Sequence, residues 1–338
     1  MVSLVQIGNG SERRVAIVEE PHLRCLAGVR SVYELASSCI RERVSLSKRA
    51  QDLATGVLLS YEDIYSGKSE WRLLPPVDVP AAPERVLVSG TGLTHLGSAK
   101  DRQAMHERTV TDAAKPMTDS MRMFEWGIAA GRPPEGEIGI APEWFYKGNG
   151  DLLQAPFSAL TVPAHAEDGG EEAEIAGIYL IAEDGQPHRL GFCAGNEFAD
   201  HRFERRNYLN LAGSKLRHCS IGPELIVGGD FRAVVGEVSI ERGGVPLWQK
   251  TIETGEENMS HSLANLEHHH FKFQGHRTPG TVHVHFFGAH SLSFGDGITL
   301  EDGDWMQVQF QGYGRALRNP VRIEDKKLDR LIRVQPLV

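Results

Sequence analysis

Hydrophobic and polar positions along the chain change rhythm partway through. "RRVAIVEE" (Arg13–Glu20) is a short apolar run bounded by charge and predicts a β-strand. "SVYELASSCIRERVSLSKRAQDLA" (Ser31–Ala54) sets apolar residues at helical spacing and predicts a helical stretch. Together they describe a small α/β domain over residues 1–80. "RLLPPVDVPAAPER" (Arg72–Arg85) carries Pro75, Pro76, Pro80 and Pro83, cannot continue a helix, and reads as an extended linker before a second domain over 85–338.

Beyond the linker the segments are short, apolar and separated by glycine: "RVLVSGTGL", "EIAGIYLIAE", "HRLGFCAGNEF", "RAVVGEVSIERGG", "GTVHVHFFGA" and "DWMQVQFQGYG". Short strands with turn residues between them predict a β-rich α+β fold, a rolled sheet or barrel with few helices.

Within that pattern "GGEEAEIAGIYLI" (Gly169–Ile181) raises a chemical question. Side chains alternate along a strand, so Glu172 and Glu174 share a face with Ala176, Ile178 and Leu180. Two carboxylates leading an apolar face either end in solvent or need a cation, because an unpaired buried carboxylate is costly. Glu197 in "GNEF", a polar insertion in an apolar run, supplies a third carboxylate. Three such oxygen donors suit a hard divalent ion, magnesium first, with manganese or calcium as alternatives.

Composition narrows the partners. The formal net charge of −9 leaves no basic footprint for nucleic acid or an anionic membrane, which points to a small-molecule ligand. Cys25, Cys39, Cys193 and Cys219 are scattered and form no CxxC pair, as expected of a reduced, cytoplasmic protein. No apolar run approaches the ~20 residues of a membrane span, and the N-terminus does not read as an export signal.

The paired "ExE" followed by "GNEF" resembles the metal site of the fumarylacetoacetate hydrolase (FAH) superfamily. Further stretches agree in order: "GTGLTHLGSAKD", "PEWFYKG", "GSKLRHCSIGPELI", "TPGTVHVHFFGAH" and "LEDGDWMQVQFQGYGRALRNPV", so the likeness covers roughly residues 85 to 323. It implies a mixed β-roll with a small N-terminal domain, a homodimer, and a cation that chelates a 2-oxo acid through its carboxylate and keto oxygens. Such chelation stabilises the enolate formed when a proton leaves C3.

The same resemblance assigns roles. Hydrolases of the superfamily carry a His and a Glu in the lid to activate water; here Ser98 and Asp101 stand at those places, with His95 where an aromatic residue is common. "GTGLTH", "GNEF" and "ADH" in series resemble the subgroup of 2-keto-3-deoxy sugar acid (pentonate) dehydratases. The expectation is therefore a magnesium-dependent dehydratase giving 2,5-dioxopentanoate. The alternatives are a hydrolase of 2,4-dioxo acids and a non-catalytic 2-oxo acid binding protein. Lys215, His95 and Ser98 are the expected catalytic residues, and Lys147, Gly288, Ala289 and His290 the expected substrate-binding ones. The segment from His95 to about Glu125 is the expected lid. Of the 15 histidines, eight lie between His261 and His290. His283 and His285 alternate on one strand face and "EHHH" is expected on a helix, so a second metal site competes with hydrogen-bonded histidines and a solvated helix face.

Overall fold

The computed structural model describes residues 2–100 and 118–337. Strands Val2–Asn9 and Glu12–Glu19 form a hairpin whose two-residue loop begins at Gly10, at φ 58°, a conformation that a hairpin turn demands and glycine supplies. His22–Leu26 and Ala54–Ser60 extend it antiparallel. The single helical stretch read from the sequence is two helices, Val32–Glu42 and Leu46–Asp52. They part at Arg43, which adopts a left-handed conformation, and the hydroxyls of Ser31 and Ser45 cap their first turns.

The sheet then runs on without a break. Val2–Asn9 pairs with Leu225–Val227, which leads through Pro187–Asn196 and Ala173–Ile181 to Val282–Phe286, Val86–Gly90 and Phe145–Asn149. Among the described residues the sheet has 13 strands, and Val282–Phe286 lies parallel to Val86–Gly90. A second sheet of five strands is built around Val234–Arg242, Trp305–Phe310 and Leu317–Ile323. The β-rich α+β class expected from the sequence is what forms, as two mixed sheets rather than a closed barrel.

The strand Ala173–Ile181 is buried along its whole length. Ala176, Ile178 and Leu180 pack with Val32, Leu35, Val284 and Phe286, while Ile175, Tyr179 and Ile181 cluster with Phe192 and with Val308 and Phe310 of the second sheet. A strand covered on both faces leaves no solvated side for the glutamates at its head. That is why the site lies inside the molecule.

Candidate metal centre

Strand register assembles the carboxylates. Ala173 pairs with Asn196 and Glu174 with Gly195, so the next step outward sets Glu172 beside Glu197, whose N–H donates to the Glu172 carbonyl at 2.9 Å. The chain turns sharply after Glu197: Phe198 is held at φ 43°, an uncommon conformation for a bulky residue, and its carbonyl accepts from Lys147 Nζ at 2.5 Å. One carboxylate oxygen each from Glu172, Glu174 and Glu197 lies within 4.8 Å of the others, and all three residues are buried. Among the described residues no other group of His, Cys, Asp or Glu is as compact.

Two lysines balance the charge. Lys215 Nζ donates to Glu172 Oε1 at 2.6 Å and to Glu197 Oε2 at 2.5 Å, with the Phe145 ring 4.7 Å beneath it. Lys147 Nζ forms an ion pair with Glu197 Oε1 at 2.7 Å, an oxygen with no further hydrogen-bond partner among the described residues. With every group ionised the cluster carries one net negative charge. A divalent cation would turn it to one positive charge, matched to a monoanionic acid.

The environment sorts these groups. Burial pushes Glu174 far above the usual carboxylate range, and the charges of Glu172 and Glu197 add to it. Burial also lifts Glu197, to about 7, against the pull of Lys147 and Lys215. For Glu172 burial acts upward too, but the Lys215 ammonium and the His201 hydrogen bond outweigh it and hold the carboxyl well below its ordinary value. Burial lowers Lys147 in spite of Glu197. In Lys215 the same penalty is overcome by Glu172 and Glu197, and its ammonium is stabilised. An all-oxygen donor set, and a Glu174 carboxyl whose ionisation burial and two neighbouring carboxylates oppose, fit a hard divalent cation that would offset that charge.

The remaining expected residues stand differently. Gly288 N donates to Glu174 Oε2 at 2.7 Å, which joins it to a carboxylate of the cluster. Ala289 is buried beside it, and His290 Nδ1 meets Ser291 Oγ at 2.9 Å. His95 is buried with Nδ1 3.0 Å from Thr94 Oγ1 and Nε2 3.0 Å from Thr254 Oγ1. Burial, with His290 adding, pushes the ring down to about 3. As arranged, both His95 nitrogens meet hydroxyls, and Thr94, whose hydroxyl donates to Phe287 O, ties the ring to the turn before Gly288. Ser98 Oγ donates to the His95 carbonyl at 3.0 Å. Asp101 and much of the expected lid lie outside the described residues.

Among the described residues the histidines form no group compact enough to be a second metal site. His270 Nε2 meets His283 Nδ1 at 2.8 Å, His285 Nδ1 meets Ser89 Oγ at 2.8 Å, and Trp144 donates to His270 Nδ1 at 3.2 Å. His269 and His270 are buried rather than on a solvated helix face, because the helix Leu263–Phe271 packs them inward. His201, which is not among the expected site residues, has its Nε2 2.9 Å from Glu172 Oε1. Its only signal was the polar "ADH" directly after "GNEF".

The chain has the fold of the FAH superfamily. A 2-keto-3-deoxy-D-arabinonate dehydratase complexed with magnesium and 2,5-dioxopentanoate matches with a TM-score of 0.69 at 14% identity, over 96% of this chain and 100% of that one. A fumarylacetoacetate hydrolase from Exiguobacterium antarcticum matches with a TM-score of 0.59 at 16% identity, over 96% and 100%. A 2-hydroxyhepta-2,4-diene-1,7-dioate isomerase from Mycobacterium marinum gives 0.57 at 15% identity, over 96% and 99%. No protein-family model and no curated protein sequence matches the chain.

Proposed function

We propose that this chain is a divalent-cation-dependent dehydratase of 2-keto-3-deoxy sugar acids, converting a 2-keto-3-deoxypentonate to 2,5-dioxopentanoate and water. The observation that carries the reading is the buried cluster of Glu172, Glu174 and Glu197 closed by Lys147 and Lys215. Glu172, Glu174 and Glu197 would hold the cation, magnesium by preference. When bound it supplies Lewis acidity to the carboxylate and keto oxygens of a 2-oxo acid, easing loss of a proton from C3.

The chain's own residues handle charge and protons. Lys215 Nζ, between two carboxylates, holds a proton it can deliver to a departing C4 hydroxyl. Lys147, lowered by burial, is the better acceptor of the C3 proton. One proton from C3 and the hydroxyl from C4 leave as water, and proton shifts bring the unsaturated acid to its 2,5-dioxo form. The site is buried, which limits access of bulk water to the intermediate.

Dehydration is favoured over carbon–carbon hydrolysis because Ser98, with an ordinary alcohol that donates to the His95 carbonyl, stands where a water-activating histidine is expected, and His95 has both nitrogens engaged. The likeness to the arabinonate dehydratase in its complex with 2,5-dioxopentanoate supports the same reading. The test is a panel of 2-keto-3-deoxy acids and acylpyruvates with cation-loaded protein, products identified by mass. Loss of one water from a deoxypentonate is expected; cleavage of acylpyruvates into two acids, with no dehydration of either C4 epimer, would overturn the proposal.

A further inference from the structure

His201 opens the helix His201–Arg206 and is 3% exposed. Its Nε2 lies 2.9 Å from Glu172 Oε1, the oxygen that also accepts from Lys215 at 2.6 Å. Lys215 is shared with Glu197, whereas His201 reaches only Glu172 among the three glutamates. With two donors on Oε1, Oε2 is the oxygen Glu172 has to offer a cation.

The ring's seat is cut for it. Gly170 makes a short antiparallel bridge with Ala199, donating to its carbonyl at 2.9 Å and accepting from its N–H at 3.0 Å. Gly170 is not among the glycines at positive φ, so its backbone does not call for glycine. Its neighbour does: a Cβ at position 170 would press on His201 Nδ1 and come within 2.6 Å of Cε1. Phe294 covers the ring from another side, centroids 5.3 Å apart. Nδ1 is buried against this wall and has no hydrogen-bond partner among the described residues.

We propose that His201, seated by Gly170, is the positioning residue of the cation site: it fixes Glu172 through Oε1 and thereby sets cation affinity. The inference rests on the cation reading of the three glutamates but not on which reaction follows. Donors that orient a ligating carboxylate typically change metal affinity by roughly 10–100-fold when removed.

The experiment titrates magnesium into chelator-treated protein by calorimetry, without substrate. His201→Ala should weaken magnesium binding by about 10–100-fold, and His201→Gln, which keeps an N–H at similar reach, should restore it to within a few-fold. Gly170→Ala should weaken binding like His201→Ala, and the double variant should be no worse than His201→Ala alone, because the clash disappears with the ring. Unchanged affinity in His201→Ala, a His201→Gln variant as weak as His201→Ala, or additive losses in the double variant would each overturn the proposal. If His201→Ala does not fold, His201→Gln and Gly170→Ala still decide it: near-native affinity in the first and a large loss in the second are required. Failure of the unaltered protein to bind magnesium would overturn the cation reading as well, whereas dehydratase activity plays no part in the outcome.

Discussion

Replacing Glu174 with Gln separates the stability of the fold from its affinity for a cation. In ion-free protein Glu174 is driven toward its protonated form by burial and by Glu172 and Glu197, and Gln copies that form in shape and charge. The amide oxygen can still accept from Gly288 N. The ion-free melting temperature should therefore change little, within about 0.5 kcal/mol. At a magnesium concentration 100 times its Kd the unaltered protein gains about 2.7 kcal/mol. For 338 residues at about 2.1 cal/mol/K each, that raises Tm by about 4 °C. A variant bound about 100-fold more weakly gains about 0.4 kcal/mol at the same concentration, or less than about 1 °C. Scanning calorimetry of chelated and magnesium-loaded samples reads all four values. Equal magnesium-dependent shifts in the two proteins would refute the role of Glu174 as ligand, and an ion-free Tm several degrees lower in the variant would refute the account of its protonation.

Further outcomes follow from the same geometry. Lys215→Met strips Glu172 and Glu197 of their shared cation and should cost about 3–5 kcal/mol in ion-free protein, but much less when magnesium is bound; equal losses in urea melts under both conditions would contradict this. Magnesium affinity should fall as pH drops through about 7, where Glu197 takes up a proton in ion-free protein, since a ligand oxygen must be deprotonated; flat affinity between pH 6 and 8 would count against it. Burial pushes His283 and His285 down to about 3. A depressed histidine stabilises the fold above its ordinary value of about 6.5 and loses that contribution as pH falls toward 3, so His285→Gln should lose less stability between pH 7 and 5 than the unaltered protein. Parallel losses by chemical denaturation would contradict that.

Period-two alternation made the glutamates of "GGEEAEIAGIYLI" visible, because neighbours on one strand face are local in sequence. Their meeting with Glu197 depends on hairpin register, which the resemblance supplied and spacing alone did not. The break of the first helical stretch at Arg43 was hidden, because its apolar periodicity runs through "RERVSLS" while the left-handed turn there is a backbone event. His95 reads as an available histidine in a glycine-rich loop; only the fold brings Thr254 to its Nε2. Gly170 is one of two glycines in an acidic loop, and nothing in that loop announces that an imidazole lies against it. The continuous sheet from Val2–Asn9 through Leu225–Val227 likewise rests on pairing between distant segments. Such contacts leave no periodic trace.

The measurement that bears most directly on the central claim is the product mass formed from a single 2-keto-3-deoxypentonate by one preparation, first stripped with chelator and then reloaded with magnesium, beside Glu197→Gln treated the same way. The account predicts loss of one water from the substrate with reloaded protein only, and none from the chelated sample or the variant. Dehydration that survives chelation, or that Glu197→Gln carries out as fast as the unaltered protein, would contradict it.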